Sequence, residues 1–144
     1  MRIIFFLVIL SLFLIGCTPV EPLLDVPDTS SASSYVAFEQ NAYEQALRDG
    51  KIILLDFYAS WCPICRAENP HLRAGIADIN DPRLIAYQVH YNDDETTLEE
   101  KNLAQEFGVT YQHTKIILKN GQVVLKSLEQ WNKEKTIEEL RKVL

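Results

Sequence analysis

The stretch Ile52-Ile53-Leu54-Leu55-Asp56-Phe57-Tyr58 is a continuous apolar run interrupted by a single carboxylate. A run this short, rich in branched and aromatic residues, reads as a strand buried on both faces of a sheet. Ala59-Ser60 and then Trp61-Cys62-Pro63-Ile64-Cys65 follow at once. Pro63 suits the first turn of a helix, so a helix is expected to begin around Cys62. A central strand feeding directly into a helix restricts the chain to α/β architectures. It also puts the helix N-terminus at the strand's carboxyl end, where such sheets carry their sites.

The remaining punctuation agrees. Ala42, Tyr43, Ala46 and Leu47 form a helical stripe, and Gly50 is placed to stop that helix. Residues 83–91 read as a second strand through Leu84, Ile85, Tyr87 and Val89. Residues 94–107 read as a helix with Leu98, Leu103 and Phe107 inward, stopped by Gly108. Asn120-Gly121 between 115–118 and 122–126 is a hairpin signal. Residues 136–144 read as a closing helix, with Thr136 as cap and Glu139 three residues on. Its apolar face carries Ile137, Leu140 and Leu144. Strand, helix, strand, helix, hairpin, helix makes a mixed sheet.

The first residues are expected to lie outside this fold. Ile3 and the residues to Ile15 are nearly all apolar, and Gly16-Cys17 follows. That run is shorter than the ~20 residues a bilayer span needs, and fits a secretory signal instead. Leu14-Ile15-Gly16-Cys17 resembles a bacterial lipobox, which implies a signal peptide over 1–16 and lipidation at Cys17. Residues 17–34, rich in Pro, Ser, Asp and Thr, then read as a tether, and 35–144 as one domain. The net charge of −6 provides no basic footprint for nucleic acid. One lipidated cysteine would hold the domain at a membrane, outside the cytoplasm.

Cysteine arithmetic then isolates the chemistry. Of 3 cysteines, Cys17 is assigned to lipid, leaving only Cys62 and Cys65. A Cys-x-x-Cys at a helix start is the layout of a redox dithiol. Backbone N–H groups and the helix dipole favour a thiolate at Cys62, the expected nucleophile. Cys65, one turn in and expected to be the more buried thiol, would resolve the mixed disulfide. The alternative is half of a zinc site, but no second Cys-x-x-Cys exists to complete one. Asp56, six residues before Cys62, is either a desolvated proton acceptor for Cys65 or a strand-end carboxylate facing solvent. Trp61 either shields the site and meets partners or is an ordinary half-buried aromatic.

The segment Asp56-Phe57-Tyr58-Ala59-Ser60-Trp61-Cys62-Pro63-Ile64-Cys65 resembles the active-site segment of the thioredoxin superfamily. Pro70 matches the proline in that family's active-site helix, and Phe107-Gly108-Val109 through Lys119-Asn120-Gly121 matches the approach to its final hairpin. The resemblance implies a thioredoxin-like fold, a mixed central sheet flanked by helices. It also implies thiol–disulfide exchange with protein thiols and disulfides by a monomer using no cofactor. Cys65-Arg66-Ala67-Glu68-Asn69-Pro70-His71-Leu72 is similar to the membrane-tethered TlpA/ResA type. That type serves extracytoplasmic thiol reduction and cytochrome c maturation, drawing on an upstream membrane electron donor. The length and Gly50-Lys51 look more like the carboxy-terminal domain of the DsbD reductase. Glu68 matches an acidic position of the TlpA/ResA type. It either tunes the thiols or is a solvated helix charge.

One departure stands out. The family's cis-proline before the hairpin is replaced by His113, and no proline follows Pro82. A cis bond before a non-proline residue costs about 2.5–4 kcal/mol, so the Gln112–His113 bond is expected to be trans. His113 is expected close to Cys62 and Cys65. There it either couples to the thiols, completes a Cys-Cys-His metal site for metal binding or delivery, or is a plain loop histidine. His71 and His90 are expected at the surface or the core edge. The family's glycine after the hairpin is also missing, and Trp131 in that region implies an altered partner-facing rim.

Overall fold

A computed structural model describes residues 33–144. The expected signal peptide, Cys17 and most of the tether lie outside the described residues. The elements run β1 (Ser34–Ala37), α1 (Gln40–Arg48), β2 (Ile52–Tyr58), α2 (Pro63–Ile79), β3 (Leu84–His90), α3 (Leu98–Glu106), β4 (Thr114–Lys119), β5 (Gln122–Ser127) and α4 (Lys133–Arg141). They build one five-stranded sheet in the order β1-β3-β2-β4-β5. β3 lies parallel to both β1 and β2, while β4 runs antiparallel to β2 and β5. The mixed sheet flanked by helices is the expected class.

β2 occupies the centre, and alternation along it sorts the two faces. Ile53, Leu55 and Phe57 pack with Tyr43 and Ala46 of α1 and Leu103 and Ala104 of α3. Ile52 and Leu54 pack with Leu72 and Ile76 of α2 and Leu140 of α4. Asp56 falls on this second face, beneath α2. Asn120 and Gly121 both take positive φ, 52° and 71°, as a two-residue hairpin of the expected kind requires.

Three local expectations are corrected, and one strand is added. β1 is an edge strand of only four residues, with Tyr35 buried and Val36 and Ala37 exposed, too short to show a readable period in the sequence. The helix expected over 94–107 starts at Leu98, because Thr97 and Glu100 form a reciprocal capping box and residues before it turn. Leu98 is consequently exposed rather than inward. The last helix starts at Lys133, capped by the Asn132 side chain on the Lys135 amide, and Thr136 lies inside it, fully buried.

Thr136 is buried because α4 crosses α2 at Gly75. A β-carbon added at Gly75 would meet Thr136 Cβ and Cγ2 at 2.9 Å. Gly75→Ala is therefore expected to destabilise the protein by roughly 1–3 kcal/mol through overpacking, despite alanine's better helix propensity. Thermal melts check this, and a raised melting temperature would show that the two helices separate freely.

Candidate active site

The site forms where β2 ends and α2 begins. Cys62 is the N-cap of α2, with extended backbone, and its Sγ accepts a hydrogen bond from the Cys65 amide at 3.3 Å. Pro63 follows at the helix start, where its missing N–H costs nothing. Both thiols are free and closed in, at 2% and 3% exposure, packed with Ala59 and Tyr58. Cys65 is thus no more buried than Cys62, contrary to expectation, because Tyr58 and Ala59 cover the cap sulfur as well. Burial first, then the hydrogen bond with Cys62, pushes the Cys65 thiol up to about 12.

Asp56 is buried beneath α2. Burial raises its carboxyl to about 6, although a hydrogen bond from Tyr35 and the charge of Lys115 pull the other way. The Tyr35 hydroxyl donates to Asp56 Oδ2 at 2.6 Å and accepts from Asn69 Nδ2 at 3.0 Å. No local pattern in the sequence marks Tyr35 or Lys115 as part of the site. Tyr35 sits on the unrecognised β1, and Lys115 is identified only by strand register, which places it directly opposite Asp56.

Glu68 is not a solvated helix charge. It is 1% exposed and pairs with Lys115, itself 0% exposed. Lys115 Nζ donates to Glu68 Oε1 at 2.5 Å and to the carbonyls of His113 and Glu129 at 3.0 Å. The Trp131 amide also donates to Glu68 Oε1. Glu68 therefore faces Lys115 and the core, and its charge reaches Asp56. Trp131 is buried in the α2/α4 face of the core, so it forms no part of a partner-facing rim.

Trp61 is 54% exposed and stands beside the dithiol, its indole N–H donating to the Asn92 carbonyl at 2.8 Å. The loop after β3 thereby braces the motif, and Asp93 Oδ2 accepts from the Ser60 amide at 2.9 Å. Burial alone would raise the Asp93 carboxyl, but hydrogen bonds from His90, Ser60 and Thr96 outweigh it and bring it down to about 2. His71 is exposed and takes no part in the Cys62, Cys65 and His113 cluster.

His113 arrives from the loop before β4. Among the described residues there is no cis peptide bond, so Gln112–His113 is trans as expected. His113 has φ 52°, and its amide donates to the Phe57 carbonyl at 2.6 Å. A proline, with φ near −65° and no N–H, cannot take this position. A ring nitrogen of His113 and the sulfurs of Cys62 and Cys65 all lie within 4.8 Å of one another.

The family model for thioredoxin matches residues 34–142. The chain belongs to the thioredoxin family. Among its relatives, thioredoxin 2 of Chlorobaculum tepidum is 31% identical over 94 residues, 65% of this chain and 80% of that protein. The thiol:disulfide interchange protein DsbE of Yersinia pestis is 61% identical over 31 residues, which is 21% of this chain and 16% of that protein. The crystal structure of Trxlp from Edwardsiella tarda superimposes with TM-score 0.56 at 28% identity, covering 72% of this chain and 95% of that one. This thioredoxin-family protein is a thiol–disulfide oxidoreductase built on the Cys62–Cys65 pair.

Proposed function

We propose that this protein is a membrane-tethered reductase of protein disulfides that works outside the cytoplasm. Its service would be cytochrome c maturation or thiol homeostasis of the envelope. The observation that carries the chemistry is Cys62 at the cap of α2, with Cys65 one turn in and Asp56 buried beneath the same helix.

In this reading, the Cys62 thiolate attacks a substrate disulfide, forms a mixed disulfide and expels the first substrate thiolate. Cys65 then gives up its proton and attacks the Cys62 sulfur. The Cys62–Cys65 disulfide forms, and the second substrate thiolate leaves, so the substrate is reduced by two electrons and the protein oxidised by two. Asp56 is the acceptor of the Cys65 proton. Its charge is felt at the Cys65 thiol, and its pKa of about 6 suits a base that loads and unloads near neutrality. Exposed Trp61 and Ile64 offer apolar surface at the mouth of the pair for a polypeptide substrate. A membrane electron donor would then reduce the pair again.

The tether and address rest on Leu14-Ile15-Gly16-Cys17 and the apolar residues before it. No helix among the described residues is long and apolar enough to cross a membrane. The local likeness to the thiol:disulfide interchange protein DsbE of Yersinia pestis supports a thiol–disulfide interchange role.

Insulin reduction is the direct test of the chemistry. The wild type is expected to precipitate insulin chains in the presence of dithiothreitol, and Cys62→Ser to fall to the uncatalysed rate. Residual catalysis by Cys62→Ser would remove Cys62 as the nucleophile. Direction is read from the reduction potential, where a value near about −270 mV supports the reductase and one near −120 mV an oxidase. Metabolic labelling with a fatty acid, lost in Cys17→Ala, tests the tether.

A further inference from the structure

Both described cysteines and one of the three histidines meet at one point. Cys62 comes from the cap of α2, Cys65 from its first turn and His113 from the loop before β4, and their donor atoms lie within 4.8 Å of one another. The histidine is held from both sides. Its N–H donates to the Phe57 carbonyl at 2.6 Å, and its own carbonyl accepts from Lys115 Nζ at 3.0 Å. Lys115 is in turn fixed by Glu68. The backbone at His113 is thus fixed, in a left-handed conformation that a β-carbon seldom adopts without cause. Its Nδ1 is buried and has no hydrogen-bond partner. A buried imidazole nitrogen without a partner, held beside two free thiols, is the arrangement of a ligand set rather than of a loop histidine.

We propose that the reduced protein holds one thiophilic d10 cation, Cu(I) or Zn(II), between Cys62 Sγ, Cys65 Sγ and the His113 ring. Thiolate and imidazole donors are the set such ions select. Bond lengths of about 2.3 Å to sulfur and 2.0–2.1 Å to nitrogen place the donors roughly 3.5–4 Å apart, so the cluster has to close only slightly. Binding exchanges two thiol protons for the ion, with no change of oxidation state. The disulfide form has no thiolate to offer, so metal occupancy and the oxidised state of the pair exclude each other. Three donors satisfy Cu(I), whereas Zn(II) needs a fourth, and no further His, Cys, Asp or Glu among the described residues joins the cluster. Water would have to supply it. The proposal is independent of the direction of disulfide exchange.

The test uses the full chain, reduced with a phosphine and titrated anaerobically. Cu(I) is competed against bathocuproine disulfonate and Zn(II) against a chromophoric chelator. One ion per chain is expected, with binding abolished in Cys62→Ser and Cys65→Ser. His113→Asn is expected to weaken it by more than about 10-fold. Asparagine tolerates the left-handed backbone, so that variant keeps the loop. X-ray absorption on the loaded wild type gives a readout that needs no variant, with two sulfurs and one nitrogen expected in the first shell. A three-coordinate shell with no added oxygen assigns copper, and a fourth position filled by oxygen assigns zinc. Failure of both ions to bind, a sulfur-only shell, or equal affinity in His113→Asn would each overturn the site. Insulin reduction by the metal-free protein is read separately, so loss of the metal proposal leaves the oxidoreductase reading standing.

Discussion

Lys115→Met is expected to cost about 3–5 kcal/mol of stability, the usual result of removing one partner from a buried ion pair. Lys115 and Glu68 are both sealed from solvent, so neither charge has water to fall back on once alone. Glu68 would keep only the Trp131 amide on Oε1, and its Oε2 already lacks a partner. The carbonyls of His113 and Glu129 would lose their donor as well. The melting temperature should fall by roughly 10 °C or more. Replacing both partners with apolar residues, Glu68→Leu with Lys115→Met, should recover part of that loss, because no uncompensated charge then remains. Urea denaturation of the reduced proteins at neutral pH measures both variants against the wild type. A loss below about 1 kcal/mol for Lys115→Met would show that water reaches the pair.

Asp56→Asn should act in the opposite direction. Burial holds the Asp56 carboxyl at about 6, above its ordinary value of 3.8. The folded protein therefore binds this proton more tightly than the unfolded chain does. Stability from this group is fully present below pH 4, and it is lost as pH rises through about 6. At pH 8 the ionised carboxylate costs up to about 3 kcal/mol, from 1.36 kcal/mol per pH unit of difference. Asparagine keeps an acceptor for the Tyr35 hydroxyl and carries no charge. Asp56→Asn is thus expected to stabilise the protein at pH 8 by up to that amount, and to leave it nearly unchanged at pH 4. Denaturant titrations at the two pH values check it, and equal effects at both would mean that Asp56 does not titrate near 6. The same variant should slow the resolving step by about 10²-fold, the low end of general-base contributions. A single stabilising substitution that slows exchange would mark a carboxylate kept for chemistry at the expense of stability.

These two residues also mark how far the sequence reads. Asp56 is legible as a candidate, because a lone carboxylate between Leu54, Leu55, Phe57 and Tyr58 favours burial over a strand end facing solvent. Lys115 is not. It begins a run with Ile116, Ile117 and Leu118, and nothing local says which face it takes or what lies opposite. Glu68 was noticed for its position, but its surroundings were open until α2 lay across β4. Trp131 shows the same limit, since an aromatic after a hairpin can cover a rim or enter the core with equal local plausibility.

The amino-acid sequence by itself determined the redox pair, the strand that ends beneath it, the helix that starts at it and the Asn120-Gly121 hairpin. Each is set by spacing and backbone preference within a few residues, where period, proline and positive φ act directly. The tertiary structure alone decided that Tyr35 donates to Asp56 and that Glu68 is neutralised by Lys115, and it bears out the approach of His113 to the thiols, which the family resemblance implies and no local pattern shows. Those contacts join residues 21, 47 and about 50 positions apart. They depend on which strands pair and in what register, and register is fixed by burial of whole sheet faces rather than by any local signal.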